Sequence, residues 1–270
     1  MDFQTGLTAV SPAAPVAGYV GGKRRLSRLV CERIAAIPHD LYAEAFVGMG
    51  GVFLRRALAP KAEVINDRSG DVIGFFRILQ RHYPQFLDML KFQVTSRREF
   101  ERLQACDPST LTDLERAARF LYLQRLAFGG KVAGRNFGVV THGGARFNLT
   151  KLAPLLETVH ERLTGVVIEN LDWSVFIDRY DRPGALFYFD PPYWGSEGYY
   201  GKELFDRGQF AFMAERLAHL KGRFLLSLND VPEVRELFSR FPIEAVDLRY
   251  SVSGGKGVEA REVLISSGAI

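Results

Sequence analysis

The sequence predicts an α/β fold with a mainly parallel, doubly wound sheet and a small, mainly helical insert. Short apolar segments alternate with helical segments in the first third of the chain and again after Lys151. A glycine-rich turn follows the first of these strands and an acid ends the second, as at the ligand-binding end of open α/β sheets. A basic helical stretch separates the two alternating parts.

The first third predicts strand, glycine turn, helix, strand, acid and helix. Residues up to 17 are expected to be a loose leader, and apolar residues from Leu26 to Ile34 recur at helical spacing until Pro38 ends the helix. Buried strands are predicted for residues 41–46 and 63–66. Helices are predicted for residues 52–58 and 72–82.

The middle of the chain differs. Residues 95–128 are charged and helical in pattern, and residues 129–148 contain six glycines, which predicts a long loop or hairpin. Strands are then predicted at 166–169, 185–189, 224–228 and 263–266, with a helix at 210–220. We therefore expect a catalytic domain formed by residues 1–76 and 152–270 around an insert of residues 77–151.

The charge distribution favours a nucleic-acid partner for the insert. Residues 77–151 carry 13 Lys and Arg against 6 Asp and Glu, an excess of +7 in a chain whose net charge is +4. A solvated helical face is the alternative. No apolar stretch approaches the roughly 18 residues of a membrane span. Neither the two cysteines nor the five histidines show metal-ligand spacing, so we expect no bound metal. We also expect a cytoplasmic protein. Its oligomeric state stays open, and a monomer is compatible with the sequence.

The segment of residues 185–193 carries the clearest chemical signal. An apolar strand ends in Asp190, Pro191, Pro192 and Tyr193. Consecutive prolines fix φ and donate no backbone hydrogen bonds, while their carbonyls remain free as acceptors. An acid and an aromatic ring are thereby predicted at the carboxyl end of a strand.

These four residues suit the methylation of an exocyclic amino group, and we expect them to be catalytic. The adenine amino group is a poor nucleophile because its lone pair is delocalised into the ring. The Asp190 carboxylate and the Pro191 carbonyl can bind its two hydrogens and direct the lone pair toward a sulfonium methyl donor, so that positioning and electrostatics suffice. Tyr193 can stack on the base, which must first leave the duplex.

A nucleoside cofactor site is predicted beside it. Phe46, Gly48 and Gly50 lie where the first strand turns, and glycines there allow a ligand to approach the backbone. Asp67 follows Gly48 by 19 residues, where a carboxylate can accept hydrogen bonds from ribose hydroxyls. The segment from Tyr19 to Lys23 predicts Tyr19 against the cofactor and Lys23 near its carboxylate or the catalytic acid.

Together these motifs resemble the Dam-type DNA adenine methyltransferases, the alpha group of amino methyltransferases, over nearly the whole chain. Residues 119–125 are similar to the helix before the family's recognition hairpin, and residues 224–230 to its strand and loop after Asp-Pro-Pro-Tyr. The resemblance implies a Rossmann-like methyltransferase sheet and duplex DNA as partner, while the choice between a restriction-modification, lone or phage-borne setting stays open. It implies contacts with S-adenosylmethionine by Tyr19, Gly22, Lys23, Phe46, Gly48, Gly50, Asp67 and Asp190, with residues 171–173 flanking the cofactor adenine.

The recognition segment departs from that family. Members that read GATC carry an Asn-Gly pair and then an Arg-x-Asn segment, whereas this chain has Phe128-Gly-Gly-Lys131 with Arg135-Asn136 further on. The target sequence therefore stays open. We expect DNA contacts from Lys131, Arg135, Asn136 and Arg146.

Other functions remain open from the residues alone. The same fold methylates cytosine amino groups or RNA, but cytosine enzymes of this kind more often carry Ser in place of Asp190, and related protein-glutamine enzymes carry Asn. A NAD-dependent oxidoreductase also combines a glycine turn with an acid, but it leaves the Asp-Pro-Pro-Tyr motif and the basic insert unexplained. A catalytically inactive DNA-binding protein is disfavoured because every expected catalytic position is filled.

Overall fold

The computed structural model describes residues 6–19, 21, 23, 26–138, 144–196, 205–250 and 258–268. Within these residues a mainly parallel seven-stranded sheet has helices on both faces, and the predicted α/β class is confirmed. The strands are β1 (Thr8–Ala9), β2 (Leu41–Glu44), β3 (Leu58–Ala59), β4 (Ala62–Asn66), β5 (Val167–Glu169), β6 (Ala185–Phe189), β7 (Arg223–Asn229), β8 (Ile243–Tyr250) and β9 (Val258–Ser266). The helices are α1 (Ser27–Ala36), α2 (Gly70–Arg81), α3 (Tyr83–Leu90), α4 (Arg97–Ala105), α5 (Asp113–Leu126), α6 (Leu149–Arg162), α7 (Trp173–Tyr180), α8 (Gly208–Ala218) and α9 (Pro232–Leu237).

The strand order of the large sheet is β5-β4-β2-β6-β7-β9-β8. The strands from β5 to β7 are parallel, whereas β9 is antiparallel to both of its neighbours. Strand β2 pairs with β4 on one side and with β6 on the other, so the direction of winding changes between β2 and β6. Open α/β sheets bind ligands at the carboxyl ends of strands beside such a switch point.

Alternation along β6 divides its side chains between two apolar cores. Leu186 and Tyr188 belong to the core that contains α1 and α2, while Phe187 and Phe189 belong to the core that contains α7 and α8. All five residues of β6 are buried, as expected for a central parallel strand. Asp190 follows directly, so the segment from Asp190 to Tyr193 begins where a buried strand ends.

The helical insert packs into the same core as the sheet. Helices α3 and α5 pack against α2, α4 packs against α5, and Phe86, Phe100 and Phe120 share a core cluster with Tyr42 of β2. The predicted boundaries at residues 76/77 and 151/152 fall inside α2 and α6. The division into a catalytic domain and an insert therefore stays a prediction.

A short hairpin follows α5, within the region where a loop or hairpin is predicted. Ala127 and Phe137 form an antiparallel bridge. The Phe128 N–H donates to the Asn136 carbonyl at 2.8 Å, and the Gly138 N–H donates to the Leu126 carbonyl at 2.8 Å. We call residues 126–138 the hairpin. Residues 139–143 of the prediction lie outside the described residues.

Two predictions near the N-terminus were wrong. The expected leader pairs with the body, because β1 is antiparallel to β3 and Val16 and Ala17 are buried. The helix expected at residues 52–58 is a single 3-10 turn over Phe53–Arg55. Arg56 explains the difference, since its buried side chain bonds Glu63 at 2.6 Å and lies over the Tyr42 ring, while its backbone is extended and leads into β3.

The helical stretch expected at residues 95–128 is interrupted. Helix α4 ends at Ala105, and α5 begins at Asp113 after a 3-10 turn over Pro108–Thr110. Thr112 and Glu115 form a capping box at the start of α5, and that spacing is visible in the sequence. In the part of the chain that is described, no helix has the length and apolar character to cross a membrane.

Candidate active site

A cavity of about 560 Å³ opens beside the carboxyl ends of β2, β4 and β6. This size lies in the usual range of small-molecule sites, roughly 300–1,000 Å³. Its described lining brings together residues that the sequence predicts for the cofactor and the reaction: Tyr19, Lys23, Phe46, Gly48, Asp67, Asp190 and Pro192.

One side of the cavity is organised by the Asp67 carboxylate. One of its oxygens accepts a hydrogen bond from the Gly48 N–H and the other accepts from the Ser69 N–H, each at 2.9 Å. Burial raises the pKa of Asp67 to about 6, although these two N–H groups act to lower it. Asp67 therefore joins the turn after β2 to the turn after β4, a structural role beyond the predicted contact with ribose.

Gly48 is required in this turn for two reasons. Its φ is +49°, and a Cβ atom at this position would lie 3.1 Å from the Tyr19 ring. Tyr19 therefore packs directly on the turn that Asp67 holds. Asn66 adds a second tie, because its amide nitrogen donates to the Ala45 and Leu171 carbonyls at 3.0 and 3.1 Å.

Some predicted cofactor residues have other surroundings. Gly50 faces Leu54, whose side chain would lie 2.7 Å from an added Cβ, and Gly51 lines the cavity instead. The described lining does not include residues 171–173, and Trp173 is buried with its indole N–H donating to Gln209. Gly22 lies outside the described residues.

The other side of the cavity is organised by the Asp190 carboxylate. The Lys23 ammonium lies 2.8 Å from Asp190 Oδ1 and 3.3 Å from Glu262 Oε2. It also donates to the Tyr193 hydroxyl and lies 4.1 Å from the centre of the Tyr193 ring. Of the two positions predicted for Lys23, the structure shows the one beside Asp190.

Strand β7 supplies a further contact to the acid. The Ser227 hydroxyl donates to Asp190 Oδ1 at 3.1 Å and lies 2.9 Å from the Tyr188 hydroxyl. Burial raises the pKa of Asp190 to about 6, while Lys23 is the main group acting to lower it. Asp190 is therefore ionised at neutral pH and available as an acceptor.

Acidic side chains gather around Lys23. Two carboxylates, Asp190 and Glu262, contact its ammonium group. A third acid, Glu44, is buried at the end of β2 and lines the cavity. Burial raises the pKa of Glu44 to about 8, although the Tyr42 hydroxyl, which donates a hydrogen bond to it at 2.6 Å, acts to lower the pKa. Glu44 is therefore mainly neutral at pH 7.

Sequence reasoning missed Glu44, Ser227, Asn229 and Glu262. A signal for two of them was present, because Glu44 and Ser227 interrupt apolar runs that predict buried strands. A polar side chain in such a run needs a partner. The partner itself was not visible, since Lys23 and Glu262 are 239 positions apart.

The four predicted DNA contacts differ in their exposure. Asn136 is exposed and Lys131 is partly exposed. The Arg135 guanidinium donates to the Gln124 side chain at 3.2 Å and the Lys131 carbonyl at 3.3 Å, and Arg146 donates to the Ala127 carbonyl at 3.4 Å. In this structure both arginines hold the hairpin rather than project from it, because its turn leaves carbonyl groups that need donors.

The hairpin also touches Gly18 and Tyr19 in the lining of the cavity. Gln124 is buried, and its amide nitrogen donates to the Gly18 carbonyl at 2.7 Å and the Gly130 carbonyl at 2.8 Å. A Cβ atom on Gly130 would lie 2.9 Å from the backbone of Gly18 and Tyr19. Within the described residues, no cluster of three or more His, Cys, Asp or Glu residues is arranged to hold a metal ion.

Comparison with known proteins identifies the family. The model of the D12 class N6 adenine-specific DNA methyltransferases matches residues 19–252. The chain belongs to this family. The match covers the cavity lining from Tyr19 onward, the helical insert and the Asp190–Tyr193 segment, and it includes all predicted catalytic and DNA-contact residues.

Two curated relatives are methyltransferases by name. A type II methyltransferase, M1.LlaDCHI of Lactococcus lactis subsp. cremoris, is 28% identical over 191 residues, which are 66% of this chain and 65% of that protein. A DNA N-6-adenine-methyltransferase of Escherichia phage P1 is 28% identical over 228 residues, or 78% of this chain and 29% of that protein. The aligned regions thus span about two thirds and less than a third of these relatives.

A likeness to a solved structure is weaker. The crystal structure of precorrin 8W decarboxylase from Methanobacterium thermoautotrophicum has a TM-score of 0.39 and 12% identity, with coverage of 97% of this chain and 94% of that chain. A likeness at this level supports no inference about activity.

Proposed function

We propose that this chain transfers a methyl group from S-adenosylmethionine to the exocyclic amino group of adenine in duplex DNA. The observation that carries the proposal is the buried Asp190 carboxylate, held by Lys23 and Ser227 at the edge of the cavity and followed by Pro191, Pro192 and Tyr193. Membership of the D12 class family supports adenine as the target base.

The residues of the cavity fit S-adenosylmethionine. Asp67 retains acceptor capacity for ribose hydroxyls, Tyr19 and Phe46 offer aromatic surface, and the Asp190 carboxylate lines the same cavity. When bound, S-adenosylmethionine supplies an activated methyl group. The chain's own part is to position the base and to stabilise the charge that forms on its amino nitrogen.

The base side performs that task with two acceptors. Within the described residues, the contacts of Lys23 and Ser227 are both made with Asp190 Oδ1, and we assign Oδ2 to one hydrogen of the adenine amino group. The Pro191 carbonyl takes the other. This geometry directs the nitrogen lone pair toward the methyl donor, and the Asp190 carboxylate can accept the surplus proton after transfer. Tyr193 stacks on the flipped base.

Transfer of tritiated methyl groups tests the reaction. Duplex DNA should be labelled in the presence of EDTA, and nucleoside analysis of the product should show N6-methyladenine. Asp190→Ala should lose activity by at least about a hundredfold while still binding S-adenosylmethionine, because it removes one of the two acceptors. Labelled cytosine, labelling of RNA only, a metal requirement or an active Asp190→Ala protein would each contradict the proposal.

Calorimetry tests the cofactor separately. S-adenosylmethionine should bind and NAD should not. Asp67→Ala should weaken binding by about 1–3 kcal/mol because a charge-assisted acceptor is lost. Unchanged affinity would place the cofactor elsewhere, and binding of NAD alone would favour an oxidoreductase.

We further propose that the insert binds duplex DNA with the hairpin as its reading element. Of the four predicted contacts, Asn136 is exposed, and Arg135 and Arg146 make hydrogen bonds within or beside the hairpin. Lys131→Ala should reduce the slope of log affinity against log salt by about one if Lys131 meets a phosphate. Asn136→Ala should cost about 1–3 kcal/mol on the preferred site if Asn136 reads a base. Binding of random and cognate duplex across salt concentrations separates the two roles.

A further inference from the structure

Strand β7 holds the catalytic segment at a second point beyond Ser227. Asn229 lies two residues after Ser227, so both side chains lie on the same face of the strand, at its carboxyl end. Asn229 Oδ1 accepts a hydrogen bond from the Trp194 N–H at 2.9 Å, and its Nδ2 donates to the Trp194 carbonyl at 3.1 Å. One side chain thus pairs with both backbone polar groups of Trp194.

This pair of hydrogen bonds is placed where the segment most needs support. Pro191 and Pro192 have no N–H groups, so the turn cannot be fixed by its own backbone donors there. Ser227 holds Asp190 at the start of the segment, and Asn229 holds Trp194 just after its last residue, Tyr193. The Trp194 ring packs on Phe210 with ring centres 5.1 Å apart, which fixes the opposite side of the same residue.

We propose that Asn229 is a positioning residue for the base-binding segment. By fixing the Trp194 backbone it sets the place of the Pro191 carbonyl and the Tyr193 ring, which must meet the amino group and the face of the flipped adenine. The role rests on the proposed methyl transfer to a flipped base. Asn229 itself touches neither substrate nor cofactor in this assignment, and the described lining of the cofactor cavity includes neither Asn229 nor Trp194.

A positioning role predicts a selective defect. Asn229→Ala frees the segment without changing the cofactor cavity, so the affinity for S-adenosylmethionine should stay within twofold of the parent. Capture of the base should weaken, and kcat should fall by about 10- to 100-fold, since displacements of about 1 Å have effects of this size. Asn229→Asp keeps the acceptor for the Trp194 N–H but loses the donor, and should lie between the two proteins.

The chain contains a matched control for the loss of two side-chain hydrogen bonds. Gln80 is also half-buried, and its amide nitrogen donates to the Leu163 and Val166 carbonyls at 2.8 and 2.9 Å, away from the cavity. Gln80→Ala should change the free energy of unfolding by an amount similar to Asn229→Ala while leaving kcat unchanged. A general effect of lost stability would slow both variants.

The experiment combines three measurements on the full chain. These are single-turnover methyl transfer, calorimetry with S-adenosylmethionine, and the fluorescence of 2-aminopurine placed at the target adenine, which rises when the base leaves the stack. The inference is supported if Asn229→Ala shows slow methyl transfer and reduced fluorescence but binds S-adenosylmethionine as tightly as the parent. Gln80→Ala should match the parent in all three measurements. If Asn229→Ala transfers methyl groups at the parent's rate and gives the parent's fluorescence, the inference is overturned. If Asn229→Ala does not fold, the same result in Asn229→Asp overturns it. An inactive parent protein would instead overturn the proposed function.

Discussion

Each side of the cavity is organised around one buried carboxylate, but the two carboxylates are held differently. Asp67, on the side where we propose the cofactor (the cofactor side), accepts from two backbone N–H groups, of Gly48 and Ser69. Asp190, on the side where we propose the base (the base side), is held by side chains, the Lys23 ammonium and the Ser227 hydroxyl. Both acids have a pKa raised to about 6 by burial, so the difference lies in their partners.

The difference teaches how each side obtains its geometry. Backbone donors are supplied by the turns themselves, so the cofactor side depends on glycine and on short chain distances. The base side depends on residues that only the folded sheet brings together, since Lys23 and Tyr193 are 170 positions apart. Substitutions should therefore affect the base side through charge, and the cofactor side through backbone shape.

The largest effect is expected for Lys23→Met. Its removal leaves Asp190 and Glu262 as buried carboxylates without their ammonium partner, and breaking a buried ion pair typically costs about 3–5 kcal/mol. Urea denaturation should show a loss of this size. Adding Glu262→Gln should recover part of the stability but not the activity, because Asp190 still lacks Lys23. A Lys23→Met protein as stable as the parent would remove the distinction between the two sides.

A pH profile should show the charge dependence of the base side. The ionised form of Asp190 accepts the amino hydrogen, and its pKa in the structure is about 6. The single-turnover rate should therefore rise about tenfold per pH unit below pH 6 and level off above it. In Lys23→Ala any residual activity should have its profile shifted to higher pH, because the main group that lowers the pKa is gone. A rate independent of pH between 5 and 7 would contradict this role.

Two adjacent glycines allow a matched test of backbone shape on the cofactor side. Gly129 and Gly130 have φ values of +66° and +67°, but only an added Cβ on Gly130 meets another segment, 2.9 Å from the Gly18 and Tyr19 backbone. Both alanine variants should carry backbone strain of about 1 kcal/mol. Gly130→Ala should in addition weaken S-adenosylmethionine binding by about 1–3 kcal/mol, since the segment that carries Tyr19 must shift. Equal affinities in calorimetry would show that the hairpin and the cofactor side are independent.

The smallest effect is expected for Glu44→Gln. Glu44 lies near Asp190, but its pKa of about 8 makes it mainly neutral at pH 7. Glutamine is a neutral side chain of nearly the same shape, so activity at pH 7 should change by no more than about twofold, equivalent to about 0.5 kcal/mol. Between pH 7 and 9 the parent alone should show the titration of this group. A large loss at pH 7 would mean that Glu44 acts as a charged residue.

The same contrast explains how much of the site was predictable. The strand ends, the turn containing Gly48 and the acid at Asp67 follow from local patterns, because an apolar run, a glycine and an acid within about 20 residues encode them. The segment from Asp190 to Tyr193 is equally local. The grouping of these residues around one cavity could therefore be anticipated from the sequence, while their roles toward a cofactor and a base stay predictions.

What could not be predicted depends on distant partners. The helix expected at residues 52–58 is replaced by extended backbone because Arg56 pairs with Glu63 and stacks on Tyr42. The hydrogen bonds of Arg135 and Arg146 to carbonyls of the hairpin were likewise not visible in the sequence, and their contact with DNA stays a prediction. Glu262 has no local motif, and its pairing with Lys23 exists only because β9 returns beside β7.

The contact between Gly130 and Gly18 has a consequence for engineering new sequence specificity. A hairpin transplanted from a relative would bring its own residue to the position of Gly130, and any side chain there would meet the segment that carries Tyr19. Gln124, which ties these two segments together, would have to be retained as well. Exchange of recognition elements should therefore preserve Gln124 and Gly130 and vary the tip between Lys131 and Asn136, so that a change of target sequence does not reduce affinity for the methyl donor.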